Sequence, residues 1–411
     1  MNPRHARRAA GIISSLQREA ALPAPPMFPS DPEAIPVKIL ILPDSFKGSL
    51  SAHRACAAIE AAAREVFPEA ELNTLPLADG GEGTLELVQH AAGGAFLPVE
   101  VTGPCGQRVR ARYLSIGDTA VIELAEAAGL GLRLPGYSPL RTTTFGVGQL
   151  IGHALQVGHR RIVVALGGSA TTDAGCGMAA ALGTQFLDES GRSFIPTGDS
   201  IAHIRTIRLN GFFFQKNSPR IEALCDVSNP LCGPTGAACV FGPQKGATAD
   251  EVKVLDEGLR HLAGIYQKRG AKIGALAGAG AAGGTGAGVA AFLNGRLLSG
   301  VDALLDLIRF DDLAKDADLI VTGEGCVDGQ TLSGKVPAGI ARRAGGRPVL
   351  LLAGASALTD AEEAKLRELG VTAVMPILQR PCALGDAVRE AETNLRTAAR
   401  RAFSLWKAAR G

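Results

Sequence analysis

The stretch ADLIVTGEGCVDGQTLSGKVPAGIARRAGGRPVLLLAG, Ala317–Gly354, reads as a strand, a loop, a helix and a second strand. ADLIVTG and PVLLLAG are short, almost wholly apolar runs closed by glycine, the pattern of parallel strands covered on both faces. The segment between them, near 336–345, has helical periodicity. TAVMPIL at 372–378 repeats the unit, with helices expected over 360–369 and 384–409. Alternating strand and helix predicts a doubly wound α/β arrangement. VKILILP at 37–43, followed by a helical stretch over 52–66, belongs to the same pattern from the other end of the chain.

The middle reads differently. Between 95 and 125, apolar and polar residues alternate around Gly-Pro and Gly-Asp turns, which predicts antiparallel hairpins. A chain of 411 residues exceeds one comfortable core. The economical arrangement is α/β with a discontinuous Rossmann-like doubly wound domain over 37–90 plus 300–411. A second, mixed α/β domain over 91–299 interrupts it, with a cleft between the two, a preferred place for small ligands. Residues 1–36 begin Arg-rich and end Pro-rich without a periodic apolar face. They read as a disordered extension, or as residues ahead of a true start at Met27, in preference to an organelle address.

Composition excludes several classes of function. The 42 basic and 40 acidic residues nearly cancel, so no global field recruits nucleic acid or anionic membrane. With 14 Phe, 3 Tyr and 1 Trp there is little stock for stacking on bases. The 8 cysteines contain no C-x-x-C pair and lie in a chain too large to need a disulfide framework. They read as free thiols of a cytoplasmic protein. No apolar stretch reaches membrane-spanning length. The 52 glycines are gathered in short clusters, so they shape loops.

Four such loops place charged residues among small ones after apolar runs: PDSFKGS, LADGGEGT, GGSATTDAG and VTGEGCVDGQTLSGK. Each alone reads as a cap or turn. Together, Asp44, Asp79, Glu82, Asp173, Glu324 and Asp328 offer carboxylates for Mg2+ or for orienting a hydroxyl, and Lys47 and Lys335 offer charge for phosphate. That inventory suits phosphoryl transfer. GAGAAG at 278–283 satisfies G-x-G-x-x-G but follows a poor strand, and GQTLSGK at 329–335 lacks the Ser or Thr after its lysine that a P-loop requires. Both read as tight loops, with Lys335 a phosphate contact. No Ser sits in G-x-S-x-G, and His153 and His159 read as structural.

Six stretches in order resemble the class I glycerate kinases: KILILPDSFKGSLSA, PLADGGEGT, GGSATTDAGCGMAAALG, CDVSNPLCGPTGAACVFGPQKGA, GAGAAGGTGAG and TGEGCVDGQTLSGKVPAGIA. The resemblance spans about 37–400. It implies ATP and Mg2+ as cosubstrates, D-glycerate as acceptor and, as usual in bacterial members, 2-phosphoglycerate as product. It also implies a two-domain fold with the site in the cleft. Cys326 stands where a basic residue is expected after Gly-Glu-Gly.

The resulting expectation is in-line transfer of the γ-phosphoryl group of MgATP to a hydroxyl of glycerate. Lys47, Asp79 and Asp173 are the expected catalytic residues, with Asp44, Asp79 and Asp173 as the acids for the metal. Asp44, Ser45, Gly80, Gly81, Ser169, Thr171, Thr172, Asp226 and Asn229 are expected to bind the acceptor. Gly280, Gly283, Gly323, Glu324, Asp328, Gln330, Gly334 and Lys335 are expected around the nucleotide. Asp226 and Asn229 read equally as an Asx turn before Pro230. Two rivals remain open at this level: a kinase of another small hydroxy acid, and a ligand-binding protein without turnover. Oligomeric state is not legible.

Overall fold

In a computed structural model, residues 36–77, 83–268, 272–329, 331–333 and 335–410 are described. The expectations for residues 1–35 and for Asp79, Gly80, Gly81, Glu82, Gln330 and Gly334 lie outside the described residues. The strands are β1 (Lys38–Ile41), β2 (Glu71–Thr74), β3 (Ala95–Thr102), β4 (Arg108–Ile116), β5 (Thr119–Glu123), β6 (Arg161–Ala165), β7 (Gln185–Leu187), β8 (Ser193–Phe194), β9 (Thr206–Arg208), β10 (Arg220–Leu224), β11 (Arg296–Leu298), β12 (Leu319–Val327), β13 (Val349–Ser356) and β14 (Ala373–Pro376).

Both chain ends build the first sheet. Its order is β14-β13-β12-β1-β2, and every pairing in it is parallel. Residues 95–298 build a second, mixed sheet in the order β11-β10-β6-β5-β4-β3, in which β3, β4 and β5 are the antiparallel hairpins expected from the alternating pattern. A small antiparallel sheet, β8-β7-β9, completes the set.

Two layers of helices cover the first sheet. On one face, the helix Ala52–Val66 buries Ala55, Ala58, Ile59, Ala62 and Ala63, a stripe at helical spacing. It lies against Leu395, Ala398, Ala399 and Ala402 of the helix Ala391–Arg410, where small side chains allow close approach. This C-terminal helix is separate from a shorter one, Leu384–Arg389, so the single helix expected over 384–409 is broken in two. On the other face, Leu304, Ile340 and Val336 join Leu40, Ile320 and Val349 in a core that also contains Leu114, Val121 and Val163 of the second sheet. The two sheets thus share apolar packing, and Val37–Gly411 cohere as one compact unit.

Strand order decides where a site forms. From β1 the chain crosses to β2 on one side, whereas from β12 it continues to β13 on the other, so the winding reverses between the adjacent strands β1 and β12. Loops leaving their carboxyl ends diverge there and open a crevice. PDSFKGS leaves β1 there, while GEGCV, Gly323–Val327, forms the last part of β12 and DGQTLSGK follows it.

Candidate active site

The loop after β1 is pinned by its own apolar residue. Phe46 is buried, exchanges backbone hydrogen bonds with Leu50, and leaves Lys47 exposed at the tip of the turn. The Asp44 amide donates to the Gly323 carbonyl at 2.8 Å, which fastens this loop to the middle of β12. Close approach explains the glycines of β12: a Cβ on Gly323 would lie 2.8 Å from the Leu352 carbonyl, and one on Gly325 would lie 3.0 Å from the Lys47 amide.

Five side chains gather at this crevice. The Thr331 hydroxyl, fully buried, donates to Glu324 Oε1 at 2.7 Å and accepts the Asp328 amide at 3.1 Å. Lys335 Nζ lies 3.6 Å from Glu324 Oε2 and 3.7 Å from Asp328 Oδ1, about one-third exposed. Burial pushes the Glu324 carboxyl up, and Asp44 and Asp328 add to the rise; Thr331 and Lys335 oppose it. Cys326 is exposed beside them. Asp44, Glu324, Asp328 and Lys335, named from sequence, are therefore brought together, whereas Thr331 was missed.

A second group forms at the carboxyl end of β6, in the turn Gly167–Gly175. Asp173 is completely buried, and its carboxylate accepts four bonds: Thr144 N at 2.7 Å, Thr144 Oγ1 at 2.8 Å, and the amides of Gly175 and Gly177 at 3.1 Å. Burial raises its pKa against those four donors. Three of the donors are amides, which have nothing to accept with, so the arrangement calls for the ionised form. Sequence reading assigned Asp173 to a metal or an acceptor hydroxyl. The carboxylate reaches neither solvent nor a cleft, because it ties the start of the helix Cys176–Ala181 to that of Phe145–Val157. Thr171 and Thr172 are closed off as well, and Ser169 is 6 % exposed.

Beneath this turn lies Lys245, a residue the sequence reading passed over. Its ammonium is 3 % exposed and donates to the Thr171 carbonyl at 2.6 Å and to Ser169 Oγ at 3.4 Å. Burial pushes it down to about 7, with the Asp173 carboxylate opposing. A signal was present: Lys245 is the first charged residue after Asp226, in a run of Gly, Ala, Cys and Pro that has the composition of an interior.

Glycines in the segment 278–284 serve the same turn. Gly283 has φ +66°, and a Cβ there would lie 2.0 Å from the Thr171 carbonyl. Gly283 also accepts the Ala174 amide at 3.0 Å, and Ala174 itself is left-handed at φ 53°. A Cβ on Gly280 would lie 2.3 Å from the Pro230 carbonyl. Backbone packing thus accounts for both glycines that had been expected around a nucleotide. Asp226 accepts the Gly300 amide at 2.9 Å, at the start of the helix Gly300–Leu307, and Asn229 donates to the Thr235 carbonyl at 2.8 Å. His153 and His159 both pack against the Tyr113 ring, as structural residues do.

Leu77 and Leu85, described on either side of Asp79, are each held through a backbone amide. At one end, the Leu77 amide donates to the Pro43 carbonyl at 3.0 Å, next to Asp44. At the other, the Leu85 amide donates to buried Glu123 at 2.8 Å, and Glu123 ends β5 beside β6. Burial raises Glu123 to about 7, with Glu86 and Glu126 contributing. Among the described residues, no three His, Cys, Asp or Glu side chains lie close enough together to hold a metal ion. A groove of about 630 Å3 between the helix Ala52–Val66, β2 and the helix Thr84–Ala92 includes neither group.

A parallel sheet whose winding reverses beside a lysine paired with carboxylates defines an α/β protein with a charged cluster at its switch point. The glycerate kinase family matches residues 39–407. The glycerate kinase of Bacillus subtilis is 43% identical over 89% of this chain and 96% of its own length. The glycerate 2-kinase of Escherichia coli is 41% identical over 89% of this chain and 96% of its own. A crystal structure from Salmonella typhimurium LT2 that carries the name glycerate kinase 2 aligns with a TM-score of 0.74 at 41% identity, covering 92% of this chain and all of that one. The chain belongs to the glycerate kinase family, phosphotransferases that act on an alcohol group.

Proposed function

We propose that this protein transfers the γ-phosphoryl group of ATP to the C2 hydroxyl of D-glycerate, releasing ADP and 2-phosphoglycerate. The observation that carries the reading is the switch-point group, where Asp44, Glu324, Asp328 and Lys335 meet in a chain of this family. The hydroxyl oxygen forms the new P–O bond while the bond to the ADP oxygen breaks, and the hydroxyl proton passes to a carboxylate. Positioning and charge neutralisation supply most of such a rate enhancement.

In this reading Lys47 neutralises the transferring group from the tip of its turn, and Lys335, steadied by Glu324 and Asp328, meets the nucleotide phosphates. Gly323, within β12, and Gln330 and Gly334, beyond it, are assigned to the same nucleotide site. Asp44 and Asp79 share the tasks of metal ligand and hydroxyl acceptor. Mg2+ fits this donor set, since it ordinarily takes one or two carboxylates and completes its shell with phosphates and water; when bound it neutralises phosphate charge. Ser169, Ser45, Gly80 and Gly81 remain for the acceptor, with Asp226 and Asn229 as peripheral supports. Asp173, Thr171 and Thr172 hold the turn behind Ser169, Gly283 meets it from the other side, and Gly280 packs against Pro230. The division into 37–90 plus 300–411 and 91–299, with the acceptor between, and a cytoplasmic location accompany this reading.

The test is ADP release that depends on D-glycerate and Mg2+, with 31P NMR of the product to distinguish phosphorylation at C2 from C3. Faster turnover of another small hydroxy acid would reassign the acceptor. Absence of turnover with every acceptor would leave a binding protein.

A further inference from the structure

We infer that Lys245 is a positioning residue for acceptor binding: its ammonium locks the turn Gly168–Thr171 through the Thr171 carbonyl and the Ser169 hydroxyl, and so holds the backbone of that turn where an acceptor meets it. The inference rests on the acceptor role proposed for Ser169.

Lys245 closes the one-turn helix Pro243–Lys245, whose backbone is tied back by Lys245 N to the Gly242 carbonyl at 3.0 Å. From this short rigid base the side chain runs inward and ends under the turn. A methionine would fill similar space without desolvating a charge; what it cannot do is donate to Thr171 and Ser169. Those two bonds have a directional consequence. Ser169 Oγ accepts from Lys245 at 3.4 Å and from the Thr171 amide at 3.1 Å, which uses both of its lone pairs. Its own proton is then turned toward Thr171, whose Oγ1 lies 3.1 Å and carbonyl oxygen 3.4 Å away, so the Ser169 hydroxyl is spent within the fold and the backbone of the turn is what Lys245 sets. Gly167 and Gly168, half-buried, form the outward edge of the turn. Asp173 supplies the opposing charge from behind, through a carboxylate committed to other donors.

The test uses the full chain with Lys245→Met and Lys245→Ala. Loss of the lock is expected to raise KM for D-glycerate roughly tenfold or more, the scale of misplacing a positioning group, while KM for ATP stays within about twofold. Amide hydrogen exchange across 167–173 is expected to quicken in the absence of substrate. Propylammonium, which supplies the atoms missing from Lys245→Ala, is expected to restore both readouts, and the neutral propan-1-ol to restore neither. Parental KM values in Lys245→Met, unchanged exchange across the turn, or equal rescue by the alcohol would each overturn the inference. If neither variant folds, propylammonium must restore folding of Lys245→Ala, and its failure to do so overturns the lock. Should the parent turn over no glycerate, the proposed reaction falls, and the exchange measurement still judges the lock.

Discussion

The hydroxyl of Thr144 donates to Asp173 Oδ2 at 2.8 Å and accepts the Met178 amide at 2.9 Å, so one threonine relays a buried carboxylate to the start of a helix. Asp173→Asn is nearly isosteric, yet its amide nitrogen would face an amide donor whichever way the side chain turned. We expect a loss of about 2–4 kcal/mol in stability, the scale for a buried charged acceptor replaced by a mismatched partner. Urea unfolding measures it. Parental stability combined with a large loss of turnover would restore Asp173 to the chemistry.

Glu123 gives a pH dependence. Its folded pKa, about 7, lies above the ordinary value of 4.5. Between those values the folded state holds a proton that the unfolded chain releases. The contribution to stability is therefore complete below about pH 4.5 and is lost as pH rises through about 7. The change amounts to about 3 kcal/mol. Glu123→Gln, which keeps an acceptor for the Leu85 amide, should remove that slope. Compared with the parent, the variant should gain stability between pH 5 and pH 8. A constant difference across the range would show that Glu123 does not titrate there.

Two lysines should separate kinetically. Lys47→Met is expected to lower kcat by roughly two to four orders of magnitude, the range for a group that stabilises developing charge. Lys335→Met is expected to act mainly on KM for ATP, because Lys335 is already shared between Glu324 and Asp328. Initial rates with each substrate varied decide the matter. A kcat loss confined to Lys335→Met would exchange the two roles.

Glycines offer a contrast in stability. Gly283→Ala places a Cβ 2.0 Å from the Thr171 carbonyl at φ +66°. It should cost more than the roughly 1–2 kcal/mol of left-handed backbone alone. Gly264 lies inside the helix Ala249–Lys268 with no atom within 4 Å of a built Cβ, and Gly264→Ala should stabilise by about 0.5–1 kcal/mol. Thermal unfolding of the two variants should shift in opposite directions.

Several features were legible in the chain alone. The apolar runs ADLIVTG and PVLLLAG became β12 and β13, and the alternating stretch 95–125 became β3, β4 and β5. The signals were short-range: side-chain period reports burial on one face or two, and glycine marks where the chain turns. The same logic brought Asp44, Glu324 and Lys335 forward as a group, since each follows an apolar run.

What the residues do to one another was decided in three dimensions. PDSFKGS and GEGCVDGQTLSGK meet only because β1 and β12, some 280 residues apart, are neighbours in the sheet. Asp226, read from sequence as an acceptor contact or equally as an Asx turn, accepts an amide 74 positions away. Asp173 stands among threonines and glycines like a cleft residue, and Lys245 stands alone in an uncharged run; folding buries both, and Thr144, from another loop, saturates one of them. Period and turn propensity depend on neighbours along the chain, so the sequence determines them directly. A charge takes its role from the donors, acceptors and water that folding leaves around it, and those come from segments whose contact depends on the whole fold.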